Sequence, residues 1–433
     1  MEGSLQSTYR PSLGTGVSPA RHTDEHAQRG ASPVRHLDRW LALQLQRTIA
    51  PADVRLELWD GTSAPGAPSD PCGDLVVHDR ATLLGLIVYP DLWFGESYMA
   101  GRLDVRGAFE PVLERLSQLS LPSGSWRERL AAALALPNSL GDARRNVHHH
   151  YDLGNDFYAL WLDRRMLYTC AYFPTPEATL DAAQEAKLDR VCRKLRLQPG
   201  ETVVEAGCGW GALALHMARH YGVRVMAFNV SAEQLDYARA WAERECLADR
   251  VTFVNDDYRN VTGRFDAFVS IGMLEHVGRA HFRTLAAVLR RTLKRDGGRG
   301  LLHFIGRDSP RLLNAWIRRR IFPGAYPPTL AEVATLVLTP SGMSIVDVEN
   351  LRLHYARTLA HWSERFAAVQ GHVEATYGET FRRAWELYLA GSQAAFATGW
   401  VQLFQVLFTP RESSPPSWTR DDMVVAPSIG RNA

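Results

Sequence analysis

The chain has 433 residues, 46% of them hydrophobic and 22% charged, with a formal net charge of +2. That length holds two domains of ordinary globular composition. The near-neutral balance gives no electrostatic reason to expect a nucleic-acid partner, and the lack of any apolar run of about 18 residues predicts no membrane span. Residues 1–35, rich in Ser, Pro, Gly, Arg and His but without an apolar core, read as a disordered tail rather than a secretory signal. Leucines at helical spacing predict a helix over His36 to Thr48. A strand follows at Val54 to Leu58, then a Gly/Pro/Ser-rich loop over 61–73 and a strand at Leu75 to His78. Helices are expected from Ala81 and over Phe94 to Ala100, a short strand at Leu103 to Arg106, and a helix at Phe109 to Leu119. Residues 36–120 therefore read as a small α+β domain. It carries no polar constellation, which suits a scaffold, lipid contact or pairing into a homodimer. Residues 121–147 are a connector with one amphipathic helix around Trp126 to Leu136.

The five cysteines lack metal-ligand spacing and read as reduced thiols of a cytoplasmic protein. His148, His149 and His150 are adjacent, and adjacent side chains on a helix do not converge on one ion, so no metal site is expected. The stretch from Tyr151 to Phe173 is dense in aromatics and interrupted by Asp152, Asn155, Asp156, Asp163, Thr169 and Cys170, polar groups unexpected in a plain core. A helix over Leu180 to Leu195 leads into a regular alternation. Strands are expected at Thr202–Glu205, Val223–Asn229, Val251–Asn255, Phe265–Ile271 and Gly300–Ile305. Helices are expected at Ala212–Tyr221, Ala232–Glu245 and Ala280–Leu293. Such alternation means right-handed crossovers, a parallel sheet and a ligand at the carboxyl ends of the strands. A helical insertion spans Pro310 to Leu338. Ile345–Leu351 and Val401–Phe408 are late strands of the same sheet, with helices between Thr358 and Thr398. The domain runs from 148 to 410, and 411–433 is a tail.

The centre of this domain is the turn after the first strand, EAGCGWG, Glu205 to Gly211. Its glycines permit a tight strand-to-helix turn and a close approach by a ligand, and the helix that follows offers unpaired N–H groups. Two ligand classes fail. A dinucleotide site wants a carboxylate at the tip of the second strand, where this chain has Asn229. A phosphate loop wants Lys-Ser/Thr after the glycines, which is missing. The E-x-G-x-G-x-G pattern resembles motif I of the class I S-adenosylmethionine-dependent methyltransferases. In that fold Asp256, Asp257 and Tyr258, after the third strand, occupy the adenine position.

From about residue 149 to 410 the chain resembles the cyclopropane-fatty-acyl-phospholipid synthases and their mycolic-acid-modifying relatives. The resemblance rests on YDLGNDFYALWLD (151–163), YTCAYF (168–173), EAGCGWG (205–211), SAEQ (231–234), DDYRN (256–260), IGMLEHVG (271–278), LLHFIG (301–306), IFPGAYPP (321–328) and HYARTLAHW (354–362). It implies a Rossmann-like class I methyltransferase sheet with a helical insertion, preceded by the small α+β domain. It also implies methylene transfer from S-adenosylmethionine to a cis double bond of a phospholipid acyl chain, with a bound bicarbonate taking the proton lost on ring closure. The family's bicarbonate cradle maps onto Cys170, Glu275, His303 and Tyr355. Its cofactor site maps onto Tyr168, Thr169, Glu205, Gly207, Gly209, Gly211, Asn229, Gln234, Asp257 and Tyr258. Tyr151, Tyr168, Tyr172 and Phe304 are candidates to face a carbocation, which aromatic faces stabilise. The same site can instead give methyl- or methylene-branched chains, and an inactive lipid binder keeping the fold is the reading from another class. A membrane-borne substrate requires peripheral contact with the inner membrane surface. WIRRRIF, Trp316 to Phe322, with three arginines among apolar residues, has a composition suited to it.

Overall fold

A computed structural model describes residues 33–119, 153–413 and 419–424. These residues fall into two compact units, one formed by 33–119, 314–323 and 366–394, the other by 153–313, 324–365, 395–413 and 419–424. The expected connector helix near Trp126, the three adjacent histidines and Tyr151 lie outside the described residues.

The smaller unit has three short strands, β1 (Val54–Glu57), β2 (Gly73–Val77) and β3 (Leu103–Gly107), with β2 central, parallel to β1 and antiparallel to β3. The helix His36–Ile49 covers the sheet with Ala42, Leu45 and Ile49, which meet Val54, Leu56, Leu75 and Val77 in one core. The spacing of three and four along that helix is what puts these three on one face. The helix Arg80–Val88 is capped by Asp79, whose side chain accepts from the Thr82 N–H at 2.7 Å. The described residues of the insertion that carry WIRRRIF also belong to this unit. Trp316 is 3% exposed and Ile321 1%. A Cβ added to Gly95 would stand 2.3 Å from the Trp316 ring, so the indole packs flush on that glycine. Arg320 is held by Glu96 through two bonds of 2.7 and 2.8 Å. The expectation that this segment offers apolar anchors to a membrane is therefore corrected: Trp316 and Ile321 are core, and Arg320 is neutralised.

The larger unit is built on a seven-stranded sheet in the order β6-β5-β4-β7-β8-β10-β9. Its strands are β4 (Thr202–Ala206), β5 (Arg224–Asn229), β6 (Val251–Asn255), β7 (Ala267–Ile271), β8 (Arg299–Gly306), β9 (Met343–Asn350) and β10 (Gln402–Pro410). This is the expected Rossmann-like class I methyltransferase sheet. The alternating segments give the parallel strands; β10 lies antiparallel between β8 and β9. The strand expected from Phe265 begins at Ala267, and Phe265 makes only a single bridge to Leu293. Because side chains alternate along a strand, the sheet divides two cores. Val203, Val225, Val269 and Leu301 face one, with the helices Leu180–Lys194, Ala212–Tyr221 and Ala232–Arg244. Val204, Phe268, Leu302 and Phe304 face the other, with the helix Phe282–Thr292. The order reverses between β4 and β7, and the glycine turn leaves β4 at that switch point.

Candidate active site

The glycine turn has two kinds of glycine. Gly211 has φ +87° and a Cβ there would meet the Phe253 ring at 2.8 Å and Ala238 at 2.9 Å. Gly209 has φ +53°, and a Cβ there would meet nothing within 4 Å. The first glycine serves packing, and the second faces open space. Gly207 (φ +85°) leaves 3.1 Å to Met273. Asn229, at the tip of β5, braces the turn by donating from Nδ2 to the Gly209 carbonyl (3.2 Å) and to Gln234 Oε1 (2.8 Å). Its amide donors are thereby committed to the protein. Gln234 sits in the first turn of the next helix and is buried.

Glu205 is the penultimate residue of β4 and is 2% exposed. The Ala214 N–H in the helix after the turn favours its charged form against the effect of burial, while Oε2 is buried without a hydrogen-bond partner. The Tyr258 hydroxyl, past the end of β6, is likewise buried and unpartnered, and burial pushes its pKa up to about 12. Asp257 caps the short helix at Tyr258 by accepting from the Arg259 N–H at 2.9 Å. Buried polar atoms without partners cost free energy unless something satisfies them. Glu205 Oε2, the Tyr258 hydroxyl and the open side of Gly209 thus fit a polar ligand with amine and hydroxyl groups.

A second set of polar side chains stands around the ends of β7 and β8 and near the start of the helix Arg352–Tyr377. Glu275, just after β7, accepts from the Ile305 N–H at 3.3 Å through Oε1, and its Oε2 is buried without a partner. His303 on β8 pairs in register with Gln405 on β10, and Gln405 Nε2 lies 3.1 Å from His303 Nδ1. An amide nitrogen only donates, so Nδ1 accepts and the imidazole proton sits on Nε2, a buried atom with no partner. Burial, helped by Lys187 and Lys194, pushes the His303 pKa down to about 3, so the ring is neutral. Burial pushes Glu275 up to about 7. Cys170 is fully buried, its sulfur 3.1 Å from the Ala171 carbonyl and 4.0 Å from that of Leu351, and burial raises its pKa, which keeps it a thiol. Tyr355, whose N–H donates to the same Leu351 carbonyl, packs on Phe396 and Trp362. Glu275 Oε2, an acid oxygen, and His303 Nε2, an N–H donor, are both buried without a partner, and such atoms suit a small oxyanion.

Three aromatic candidates separate. Tyr168 is only partly buried, within a cluster of Tyr158, Trp161 and Trp362 at ring separations of 5.3–5.4 Å. Tyr172 stacks on His354 at 4.7 Å and carries the Arg190 guanidinium 4.3 Å from its centroid, so its π system already serves a cation. Phe304 is fully buried against Phe404 in the core opposite the His303 side. Its expected place beside the reacting chain is corrected, because neighbours on one strand point to opposite faces.

The sequence reading passed over several residues. Lys187, 1% exposed on the helix Leu180–Lys194, donates to Thr169 Oγ1 at 2.9 Å. Burial lowers its pKa and raises that of Glu205, while each charge draws the other back. Gln184, one turn earlier, donates to the Thr169 carbonyl at 2.9 Å. Together they clasp the Tyr168–Cys170 segment. Trp210, inside the glycine turn, donates to Asn155 Oδ1 at 2.6 Å and packs on Tyr158. The signal for Lys187 was present: with Leu180, Ala183, Leu188 and Val191 it shares the buried face of an amphipathic helix, where a lysine needs a reason.

Glu275 carries a pH dependence. Its native pKa near 7 lies above the unfolded value of about 4.3. The stability from burying the neutral acid is full below the unfolded value and is lost as pH rises to 7. Glu275→Gln keeps the shape but does not titrate. The stability difference between variant and parent is expected to shift towards the variant by about 2 kcal/mol from pH 5 to 7.5. Urea midpoints of the two proteins check this, and a difference constant with pH refutes it.

Residues 138–406 match the family described as mycolic acid cyclopropane synthetase. A probable fatty acid methyltransferase of Pseudomonas putida is 37% identical over 382 residues, 86% of this chain and 96% of that protein. A cyclopropane-fatty-acyl-phospholipid synthase of Escherichia coli (strain K12) is 38% identical over 327 residues, 73% of this chain and 83% of that protein. Among solved structures, mycolic acid cyclopropane synthase CmaA1 complexed with SAH and CTAB superposes with a TM-score of 0.58 at 31% identity, covering 61% of this chain and 97% of that one.

Proposed function

Because the chain belongs to the mycolic acid cyclopropane synthetase family of S-adenosylmethionine-dependent methyltransferases, we propose that it converts a cis double bond in a phospholipid acyl chain into a cyclopropane ring. The observation that carries this reading is the pair of buried, unpartnered atoms Glu275 Oε2 and His303 Nε2. They suit a bound bicarbonate, with Cys170 and Tyr355 as its further neighbours. The methyl donor supplies an electrophilic carbon, and bicarbonate a base for the proton released when the ring closes. His303 gives a fixed N–H at Nε2, held in that tautomer by Gln405. Glu275, with its pKa near 7, holds or yields a proton at Oε2 close to neutrality. Glu205, Gln234 and Tyr258 bind the donor along the glycine turn. Tyr168, with Tyr158 and Trp161, lines the reacting chain with aromatic faces and excludes water from a short-lived cation.

The similarity to a probable fatty acid methyltransferase favours a second reading, an unsaturated methyl-branched or methylene-branched product from the same site. Expression in a host with unsaturated phospholipids separates the two. Both readings expect acyl chains heavier by one CH2, and only the ring persists after mild hydrogenation. A host whose acyl chains stay unchanged, with the protein folded, refutes both.

Among the described residues no helix is long and apolar enough to cross a membrane. Contact with lipid is assigned to the smaller unit instead. Leu37 (61% exposed) and Trp40 (56%) stand on the helix His36–Ile49, and Leu84 (41%) and Val88 (56%) on the adjoining helix Arg80–Val88. Exposed Arg35, Arg39 and Arg47 flank them, which suits an anionic surface. Leu37→Ser with Trp40→Ser is expected to weaken sedimentation with anionic phosphatidylglycerol vesicles at least fivefold. Unchanged sedimentation would remove this face from consideration.

A further inference from the structure

The helices Leu180–Lys194 and Ala212–Tyr221 carry a second cluster of donors that the reaction does not use. His216 and His220 are one turn apart on the second helix, with ring centroids 4.5 Å apart. Glu185 on the first helix places Oε1 3.5 Å from His216 Nδ1. One ligand atom from each of the three lies within 4.8 Å of the others. His216 is 4% exposed, yet neither ring nitrogen has a hydrogen-bond partner. A buried imidazole normally finds at least one.

We propose that Glu185, His216 and His220 bind one divalent transition cation of the zinc class, with solvent completing the coordination. The spacing of four brings both imidazoles to one face of the helix, as ligands of a single ion require. Tetrahedral zinc with bonds of about 2.0–2.1 Å has ligand-to-ligand edges of about 3.3 Å, close to the 3.5 Å between Glu185 Oε1 and His216 Nδ1. His220 is exposed, so its ring has room to turn inward. The other Glu185 oxygen is taken by Arg165 at 2.6 Å. That contact fixes the carboxylate and leaves Oε1 for the ion, the usual arrangement around a metal ligand. Two imidazoles and one carboxylate suit zinc, cobalt or nickel better than calcium or magnesium. The second helix leaves the glycine turn directly, and the first carries Gln184 and Lys187. An ion here ties the two helices that support the methyl-donor site, whichever product that site makes.

The test uses the full chain after chelator treatment. Zinc is titrated in competition with a chromophoric chelator, and cobalt absorbance reports the ligand type. One equivalent of zinc is expected to bind and raise the thermal midpoint, with cobalt d–d bands free of thiolate charge transfer. Glu185→Gln and His220→Ala each lie at part-exposed or exposed positions, and each is expected to weaken zinc at least tenfold. A variant with His148, His149 and His150 all changed to Ala is expected to bind as the parent does. The proposal is overturned if Glu185→Gln and His220→Ala both bind within twofold of the parent. Thiolate bands, or loss of binding in the triple variant alone, overturn it equally, by placing the ion elsewhere.

Discussion

Gln405→Glu is expected to cut product formation by about 10²-fold or more, the cost typical of losing one donor to an anion. Affinity for S-adenosylhomocysteine should stay within about threefold. The effect runs through a tautomer. Gln405 Nε2 donates to His303 Nδ1, so the proton lies on Nε2. A carboxylate at 405 accepts instead, draws the proton to Nδ1 and turns a lone pair towards the oxyanion position. Side-chain volume barely changes. Gln405→Leu, which removes the donor and fixes neither tautomer, should fall between parent and Gln405→Glu. Calorimetric binding of S-adenosylhomocysteine together with turnover in the same preparations checks the result. If Gln405→Glu turns over within threefold of the parent, His303 does not act as a fixed donor.

The second large effect contrasts two glycines two positions apart, Gly209 and Gly211. Gly211→Ala should destabilise the protein by about 2–4 kcal/mol, from a left-handed φ that disfavours a Cβ and from overpacking. The obstruction is Phe253 and Ala238, at 2.8 and 2.9 Å. Gly209→Ala meets no neighbour and should cost only about 1 kcal/mol. Its Cβ instead enters the space assigned to the methyl donor, so S-adenosylhomocysteine affinity should fall at least tenfold. Urea midpoints and calorimetry distinguish the two outcomes. If both variants lose stability equally and neither loses affinity, the division of labour in the turn is wrong.

Much of the larger unit was legible because its signals are local. Alternating apolar strands and amphipathic helices state the parallel strands, and the glycine turn states the switch point. The family motifs marked Cys170, Glu275, His303 and Tyr355, but only long-range pairing brings Gln405 opposite His303. No periodicity within residues 402–410 discloses that partner, since the strand is buried along its whole length. Phe304 was misplaced for the opposite reason. Its neighbour His303 was singled out, and two adjacent strand positions cannot both face one site. In WIRRRIF the composition was right for a lipid surface, but Gly95, 221 positions before Trp316, supplies the flat seat that buries the indole.

The position of β10 governs when this protein becomes competent. It follows both β8 and β9 in the chain, yet it fills the interior slot between them. While residues 402–410 are still in the exit tunnel, β8 and β9 each present an open edge and His303 lacks the amide that sets its proton. The nascent chain therefore holds its glycine turn long before His303 gains its hydrogen-bond partner. Synthesis of residues 402–410 becomes the step that closes the sheet, and a chain stalled before them is an exposed pair of strand edges awaiting any partner that pairs with them.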